Sequence, residues 1–344
     1  MKFQQALVSL FLFFESYLVE AFQVTKNFSA DFMSSGALQC QDDNLSSTLC
    51  RGGLVLQPQL SYTPIENTTL SATLGFASGN ALNNITPFLL QPWNADLEDV
   101  VRHINGRNRS FILTAYSSHE IQFNPKNSLA ITAGIIDSSS YLNTNVYAND
   151  EYSQFMSGPL SFGQNFIVPS YDYGTVFQWG VGQFLLTGVY MNVGKTTTDT
   201  INFNFYASQL LYKADTKFGT GNYRFMIDTT DKKFPDVNNR NTTRRTAMFS
   251  FDQELGKIWG AWLRFGWQST NLMTNFSQIY SGGLNIRGHL WRREKDNIGI
   301  GIAYLSGNSI ENISYAYIIE SYYRFEVNNF LALSPDIQYQ KIHF

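Results

Sequence analysis

The chain has 344 residues, of which 15% are charged, and a formal net charge of −3. This balance leaves no basic surface for nucleic acid, which proteins hold through clustered Lys and Arg. Aromatic residues make up 15% of the chain, more than a soluble β-sandwich is expected to keep out of water. Membrane β-barrels place such rings in girdles at both lipid–water interfaces, so the composition favours a barrel.

The N-terminal segment predicts export. Lys2 precedes an apolar run, residues 6–14, which is too short to span a bilayer as a helix. The small residue Ala21 follows at a position typical of signal-peptidase cleavage. We therefore expect residues 1–21 to be a cleaved signal peptide and residues 22–344 to form a single outer-membrane barrel domain.

Cys40 and Cys50 are the only cysteines in the chain. They flank an Asp-, Asn- and Ser-rich stretch that is typical of a loop. In an oxidising compartment such a pair favours a local disulfide over free thiols, and without a nearby His it is a poor metal site. We expect a disulfide that rigidifies an early loop, and no metal or other cofactor.

Residues 87–105 depart from the strand pattern. Leu97, Val100, Val101 and Ile104 recur at helical spacing. The pattern fits a short helix within an early loop and an irregular loop equally well.

Strict alternation of apolar and polar residues indicates strands with lipid on one side and water on the other. Residues 258–268 place Trp259 and Leu263 on one face, and Arg264 and Gln268 on the other. About fourteen segments alternate in this way, and residues 201–208 follow the same rule with their phenylalanines assigned to lipid. The inward faces supply the predicted pore-lining, solute-binding residues: Arg224, Asp228, Asp252, Arg264, Arg287, Glu320 and Arg324.

The number of strands follows from the membrane. Backbone groups in lipid must all be paired, so the sheet closes on itself and its strand number is even. The fold class predicted from pattern is therefore an all-β, antiparallel transmembrane barrel of 14 to 16 strands.

One long stretch interrupts the strands, from residue 137 until the strand pattern resumes near residue 174. Roughly thirty-five residues without periodicity are unusual in a compact domain and usually functional. The run T-A-G-I-I-D-S-S-S-Y-L-N-T-N-V-Y-A-N-D-E-Y-S-Q-F-M, residues 132–156, resembles the loop-three region of the carbohydrate-selective porins of the OprB type. Four later motifs agree with that family in order: residues 251–256, 264–267, 299–301 and 335–339.

The resemblance covers about residues 110–340 and implies sixteen strands, with the long loop folded into the lumen. A barrel of that size leaves an aqueous channel. The resemblance further implies a porin of the bacterial outer membrane for passive diffusion of carbohydrates or similar small polar solutes. Asn145, Tyr147, Asp150 and Glu151 match the family's constriction segment.

Other interpretations of these residues stay open. For each single inward Arg, an ordinary wall residue beside a carboxylate is the favoured interpretation. Asp150 and Glu151 are explained equally well as ties between the loop and the wall. A general porin on the same scaffold would prefer anions because of its inward arginines, and a barrel plugged by the loop would not conduct. No nucleophile motif accompanies the four histidines, so an enzyme is not expected.

The expected partners follow from the same interpretation. They are outer-membrane lipid, sugars or other small polar solutes, and the barrel-assembly machinery, which would recognise the C-terminal aromatic Phe344. A homo-oligomer and a monomer are both compatible with the sequence.

Overall fold

The protein is described from a computed structural model that covers residues 5–42, 48–85, 89–107, 109, 111–163, 168–195, 202–308 and 312–344, with side chains from residue 25 onward. Nearly all of its regular structure is antiparallel β. The strands are β1 (Gln5–Thr25), β2 (Phe28–Asp42), β3 (Leu49–Ile65), β4 (Thr68–Leu74), β5 (Phe76–Ser78), β6 (Ile112–Asn124), β7 (Asn127–Ile136), β8 (Asp172–Val181), β9 (Phe184–Val193), β10 (Phe203–Thr216), β11 (Gly219–Thr230), β12 (Phe234–Pro235), β13 (Asn241–Thr242), β14 (Arg245–Leu255), β15 (Trp259–Gln268), β16 (Phe276–Arg287), β17 (Asn297–Gly307), β18 (Tyr315–Asn328) and β19 (Leu331–His343).

Two short helices accompany these strands, α1 (Glu98–Arg102) and α2 (Gly158–Ser161), with 3₁₀ turns at Ile104–Gly106, Ser138–Ser140 and Gly288–Trp291. The helical pattern at residues 87–105 thus yields a helix of five residues, α1. No helix in the described ranges is long and apolar enough to cross a membrane.

The strands form a ring in which chain neighbours pair. β3 pairs with both β4 and β5, which together occupy one strand position. The small β12–β13 hairpin lies outside the main sheet, and β11 pairs directly with β14. β19 pairs with β1 and completes the ring, so the described strands occupy sixteen positions, as the resemblance implies.

The predicted signal segment overlaps the first strand. β1 is antiparallel to both β2 and β19, so these two strands run in the same direction on either side of it. The backbone of residues 5–25 therefore joins the two ends of the sheet.

The predicted alternation of faces is confirmed in β15, where Arg264 is buried on the inner face and Leu263 is 48% exposed on the outer face. Outward aromatic rings contact each other from strand to strand, with Phe225 and Phe249 4.7 Å apart between their ring centres and Phe249 and Trp267 6.2 Å apart. Such an apolar outer face is what a lipid-facing barrel wall requires.

The face prediction is wrong in β10. Phe203 and Phe205 are fully buried, whereas Tyr206 is exposed. Phe203 packs inward against Phe234 of the β11–β14 connection, with 5.1 Å between ring centres. The lumen beside this strand is filled by packed loop residues, so its inner face is apolar.

The longest loops lie at one end of the barrel, whereas the connections at the other end are turns of two or three residues except for residues 288–296 between β16 and β17. Two long connections enter the lumen: loop A, residues 79–111, between β5 and β6, and loop B, residues 137–171, between β7 and β8. Their buried side chains, together with inward side chains of the wall strands, form the apolar clusters inside the ring. At the end with the long loops, Cys40 of β2 and Cys50 of β3 lie opposite each other and form a disulfide, with 4.1 Å between their Cα atoms.

Candidate solute pathway

Loop B is held in the lumen by aromatic packing. Its Phe155 is 1% exposed and lies between Trp262 of β15 and Tyr322 of β18, with ring centres 5.6 and 5.1 Å away. On β17, a Cβ added at Gly301 would come within 2.9 Å of the Phe155 ring. The glycine therefore makes the room that this ring occupies.

Hydrogen bonds attach the first half of loop B to β10 and β14. The Asn143 amide donates to the side-chain oxygen of Gln209 at 2.7 Å. The Asn145 side chain donates to the Ser250 hydroxyl at 3.3 Å, and the Val146 amide donates to the Asp252 carboxylate at 3.3 Å. Asn145 is 3% exposed, so its contacts favour anchoring of the loop over solute contact.

Arg264 is completely buried beneath loop B. Its guanidinium donates to the carbonyl oxygens of Ala148, Leu160 and Ser161 at 2.8, 3.0 and 3.3 Å. It also donates to the side-chain oxygen of Asn143 at 3.2 Å. The inward orientation predicted for Arg264 is present, but the loop lies between its side chain and the open lumen.

Glu320 is placed in the same way on β18. It is completely buried, and its carboxylate accepts hydrogen bonds from the amides of Met156 and Ser157. Its partners thus include backbone groups of loop B, together with the Ser157 side chain and the buried carboxyl of Asp336 on β19.

Three further predicted lumen residues are buried in the wall. Arg224 and Asp252 form an ion pair at 2.5 Å with 4% and 2% of their side chains exposed. Asp228 accepts a hydrogen bond from the Thr246 hydroxyl. None of the three lines either of the two large cavities described next.

The first cavity, here called the loop chamber, lies between loops A and B and has a volume of about 570 Å³. Gln57 of β3 also contributes to it. Its polar lining is made of amides, hydroxyls and carboxylates: Gln57, Gln91, Asn94, Asp96, Asp99, Asn105, Asp137, Ser139, Ser140, Asn149, Asp150, Glu151, Tyr152, Ser170 and Tyr171.

The charged residues that line the loop chamber are acidic. Five carboxylates line it, and the described lining includes His103 but neither Lys nor Arg. Burial of Asp96 raises the pKa of its carboxyl to about 6, although hydroxyl and amide donors from Tyr171, Gln57 and Tyr152 favour the ionised form. Burial also raises the pKa of the Asp137 carboxyl, and it raises the pKa of the Glu151 carboxyl to a greater extent.

The second cavity, here called the turn chamber, has a volume of about 520 Å³ and lies between loop B and the β16–β17 connection. Arg287 lines it and pairs with Glu254 at 2.7 Å while donating to the Tyr147 hydroxyl at 3.2 Å. Asp150 lines both chambers. The charged lining of the turn chamber is balanced, with three acids and three bases: Asp150, Glu294, Asp296, Arg287, Lys295 and Arg324.

The structure thus divides the predicted site residues into two groups. Asp150 and Glu151 reach the loop chamber, and Tyr147, Asp150, Arg287 and Arg324 reach the turn chamber. The other six are buried in the wall or where the wall meets loop B: Asn145, Arg224, Asp228, Asp252, Arg264 and Glu320.

Sequence reasoning missed the contribution of loop A. Asp96, Asp99 and His103 line the loop chamber. In the sequence they belong to residues 87–105, where the helical spacing of apolar residues was the pattern used. The available signal was the acidic sequence Asp96-Leu97-Glu98-Asp99 in a loop, which is unusual between membrane strands.

Comparison with known proteins agrees with this architecture. Residues 98–341 match the sequence model of the family described as Carbohydrate-selective porin, OprB family. A protein of Aquifex aeolicus (strain VF5) is 24% identical over 298 residues, which cover 85% of each chain. The high-pH structure of Pseudomonas putida OprB superimposes with a TM-score of 0.61 at 12% identity, covering 98% of this chain and 93% of that one.

Proposed function

Since the chain belongs to the OprB family of carbohydrate-selective porins, and is an outer-membrane channel for passive diffusion of carbohydrates, we propose that solutes pass through the loop chamber and the turn chamber, with Asp150 at their junction. The observation that carries this proposal is that Asp150 lines both cavities. A solute that moves from one chamber to the other then passes this carboxylate.

The lining of the loop chamber suits a sugar. Its volume of about 570 Å³ lies within the range of cavities that hold small molecules. Gln57, Asn94 and Ser139 can exchange hydrogen bonds with hydroxyl groups, and the phenols of Tyr152 and Tyr171 combine an apolar ring with a polar end. Several weak contacts of this kind replace the hydration of a solute without trapping it.

The same lining disfavours anions. The arginines that led to the expectation of an anion-preferring porin have carbonyl or carboxylate partners in the structure, as Arg264 and Arg224 do. The carboxylates of the loop chamber face a cavity whose described lining has no Lys or Arg. We therefore propose that neutral sugars and cations pass more readily than anions of the same size.

The test is current recording from the purified protein in a bilayer of zwitterionic lipid, with three solutes of matched size. Glucose is neutral, glucosamine is cationic and gluconate is anionic near pH 7. We expect glucose and glucosamine to reduce the ionic current saturably and gluconate to do so only at higher concentration. Equal effects of all three would contradict the charge preference, and a folded protein without channels would contradict the pathway.

Glu151→Gln tests the lining directly, with Glu66→Gln as the control in the β3–β4 turn at the opposite end of the barrel. We expect the Glu151 variant to change the half-saturating concentration of glucosamine and the control to leave it unchanged. The same concentration for wild type and both variants would remove Glu151 from the pathway.

We also propose that the N-terminal segment directs export and is cleaved after Ala21, which its composition favours. The same residues form β1 in the structure. Intact-mass measurement of the protein from outer membranes decides the matter. A mature N-terminus at Phe22 supports cleavage, whereas retention of residues 5–25 overturns it and assigns β1 to the mature barrel.

A further inference from the structure

The single-turn helix α2 lies between the buried side chains of Glu320 and Arg264. All four of its residues, Gly158–Ser161, are buried. Before it, the amides of Met156 and Ser157 donate to the carboxylate of Glu320, the second at 3.2 Å. At its end, the carbonyls of Leu160 and Ser161 accept from Arg264.

This pairing follows the polarity of a helix. The first amides and the last carbonyls of a helix have no partner within it, and its N-terminal end attracts a negative group while its C-terminal end attracts a positive one. The amides within α2 have other acceptors, because Gly158 donates to the carbonyl of Gln91, and Leu160 and Ser161 donate to that of Ser157. Glu320 of β18 accepts from the two amides that directly precede the helix, and Arg264 of β15 donates to its last two carbonyls.

The dependence is mutual. A buried charge is costly unless polar partners compensate it, and the partners of Arg264 are backbone carbonyls and the side-chain oxygen of Asn143 in loop B. If α2 and the two residues before it moved away, Arg264 would lose the carbonyls of Leu160 and Ser161, and Glu320 would lose both amides. The arrangement therefore favours one position of the loop strongly over others.

The position of α2 bears on the loop chamber. Gly158, at the start of α2, and Phe162, directly after it, line that chamber, whereas Arg264 does not. A shift of α2 toward or away from the wall changes the width of the chamber. We propose that Arg264 and Glu320 are positioning residues, which hold α2 against the wall and thereby set the width of the loop chamber, and that they do not contact the solute.

The inference rests on the proposed solute pathway, but its first test does not involve transport. Hydrogen exchange measured by mass spectrometry on the folded protein in detergent reports on the amides of residues 143–163. The variants are Arg264→Met, which removes the charge, Arg264→Lys, which keeps it with a different donor geometry, and Glu320→Gln. Arg240→Met is the matched control, because Arg240 is exposed in the β11–β14 connection.

We expect exchange in residues 143–163 to become more than about tenfold faster in Arg264→Met and Glu320→Gln. Arg264→Lys should lie between these variants and the wild type, and the strand amides and the control should not change. Unaltered exchange in residues 143–163 would overturn the proposal. If Arg264→Met does not form a heat-modifiable barrel, Glu320→Gln and Arg264→Lys decide the result in the same way.

Channel recording then separates the two proposals. Faster exchange together with a changed half-saturating concentration of glucose supports the positioning role. Faster exchange with unchanged conductance and sugar block overturns the link between α2 and chamber width. A wild-type channel that no sugar blocks refutes the proposed pathway, while the exchange data still show whether the two charges hold α2.

Discussion

Asp96 offers the sharpest test of the acidic loop chamber, because its protonation changes within an accessible pH range. Burial raises the pKa of this carboxyl to about 6. The sign follows directly: Asp96 is ionised above that pH and becomes neutral as the pH falls through it. About 90% of the carboxyl is ionised at pH 7 and about 10% at pH 5. The preference of the channel for cations over anions should therefore fall between pH 7 and pH 5.

The size of the effect follows from Coulomb's law. An ion that passes about 4 Å from one ionised carboxylate in water gains or loses about 1 kcal/mol. This corresponds to roughly a fivefold change in its local concentration, which salt reduces. Asp96 is one of five carboxylates in the chamber, and those of Asp137 and Glu151 also have raised pKa values caused by burial. We therefore expect a several-fold fall in the permeability ratio of K⁺ to Cl⁻.

The assay is the reversal potential in a KCl gradient, recorded from pH 8 to pH 5 in a zwitterionic bilayer. Because the imidazole of His103 also lines the chamber, the measurement is made with the variant His103→Gln. In that background, Asp96→Asn should lower the ratio at pH 7 and remove the step near pH 6. An identical pH profile with and without Asp96 would refute the reasoning.

Two other changes have defined outcomes. A Cβ at Gly260 would come within 2.3 Å of the Tyr147 ring, so Gly260→Ala should displace Tyr147 from Arg287 and alter conductance through the turn chamber. The matched control is Gly188→Ala, because no atom lies within 4 Å of a Cβ added there. Equal conductance in both variants would contradict the contact between residue 260 and Tyr147. Replacing both Cys40 and Cys50 with Ser should destabilise the barrel by about 2–3 kcal/mol, seen as a lower temperature of the heat-modifiability transition. The single-channel conductance of this double variant should stay unchanged because neither cysteine lines a chamber. A transition temperature equal to that of the wild type would contradict the stabilising role of the disulfide.

The barrel itself was predictable from the sequence. In a strand with lipid on one side, successive residues must alternate between apolar and polar, and this period of two is visible without any knowledge of partners. It assigned the inner face of β15, including Arg264, correctly. The interruption at residues 137–171 and the motifs that resemble the OprB family indicated a long loop in the lumen. The strands and the interruption depend on local pattern, so the chain by itself determined them, whereas the place of the loop in the lumen was implied only by the family resemblance.

What an inward side chain contacts depended on the tertiary structure. The pattern of β10 does not reveal that packed loop residues fill the lumen beside Phe203 and Phe205, and alternation alone assigned these rings to lipid. The strand pattern predicts that Arg264 and Glu320 face the open lumen. In the structure loop B covers both side chains, and its backbone groups form hydrogen bonds with them. Asp96 comes from a loop far from β3 and loop B in sequence, and only folding brings it next to Gln57 and Tyr152. Alternation in a strand reports which side of the wall a residue faces, whereas contacts across the lumen join segments distant in the chain, and no local pattern records them.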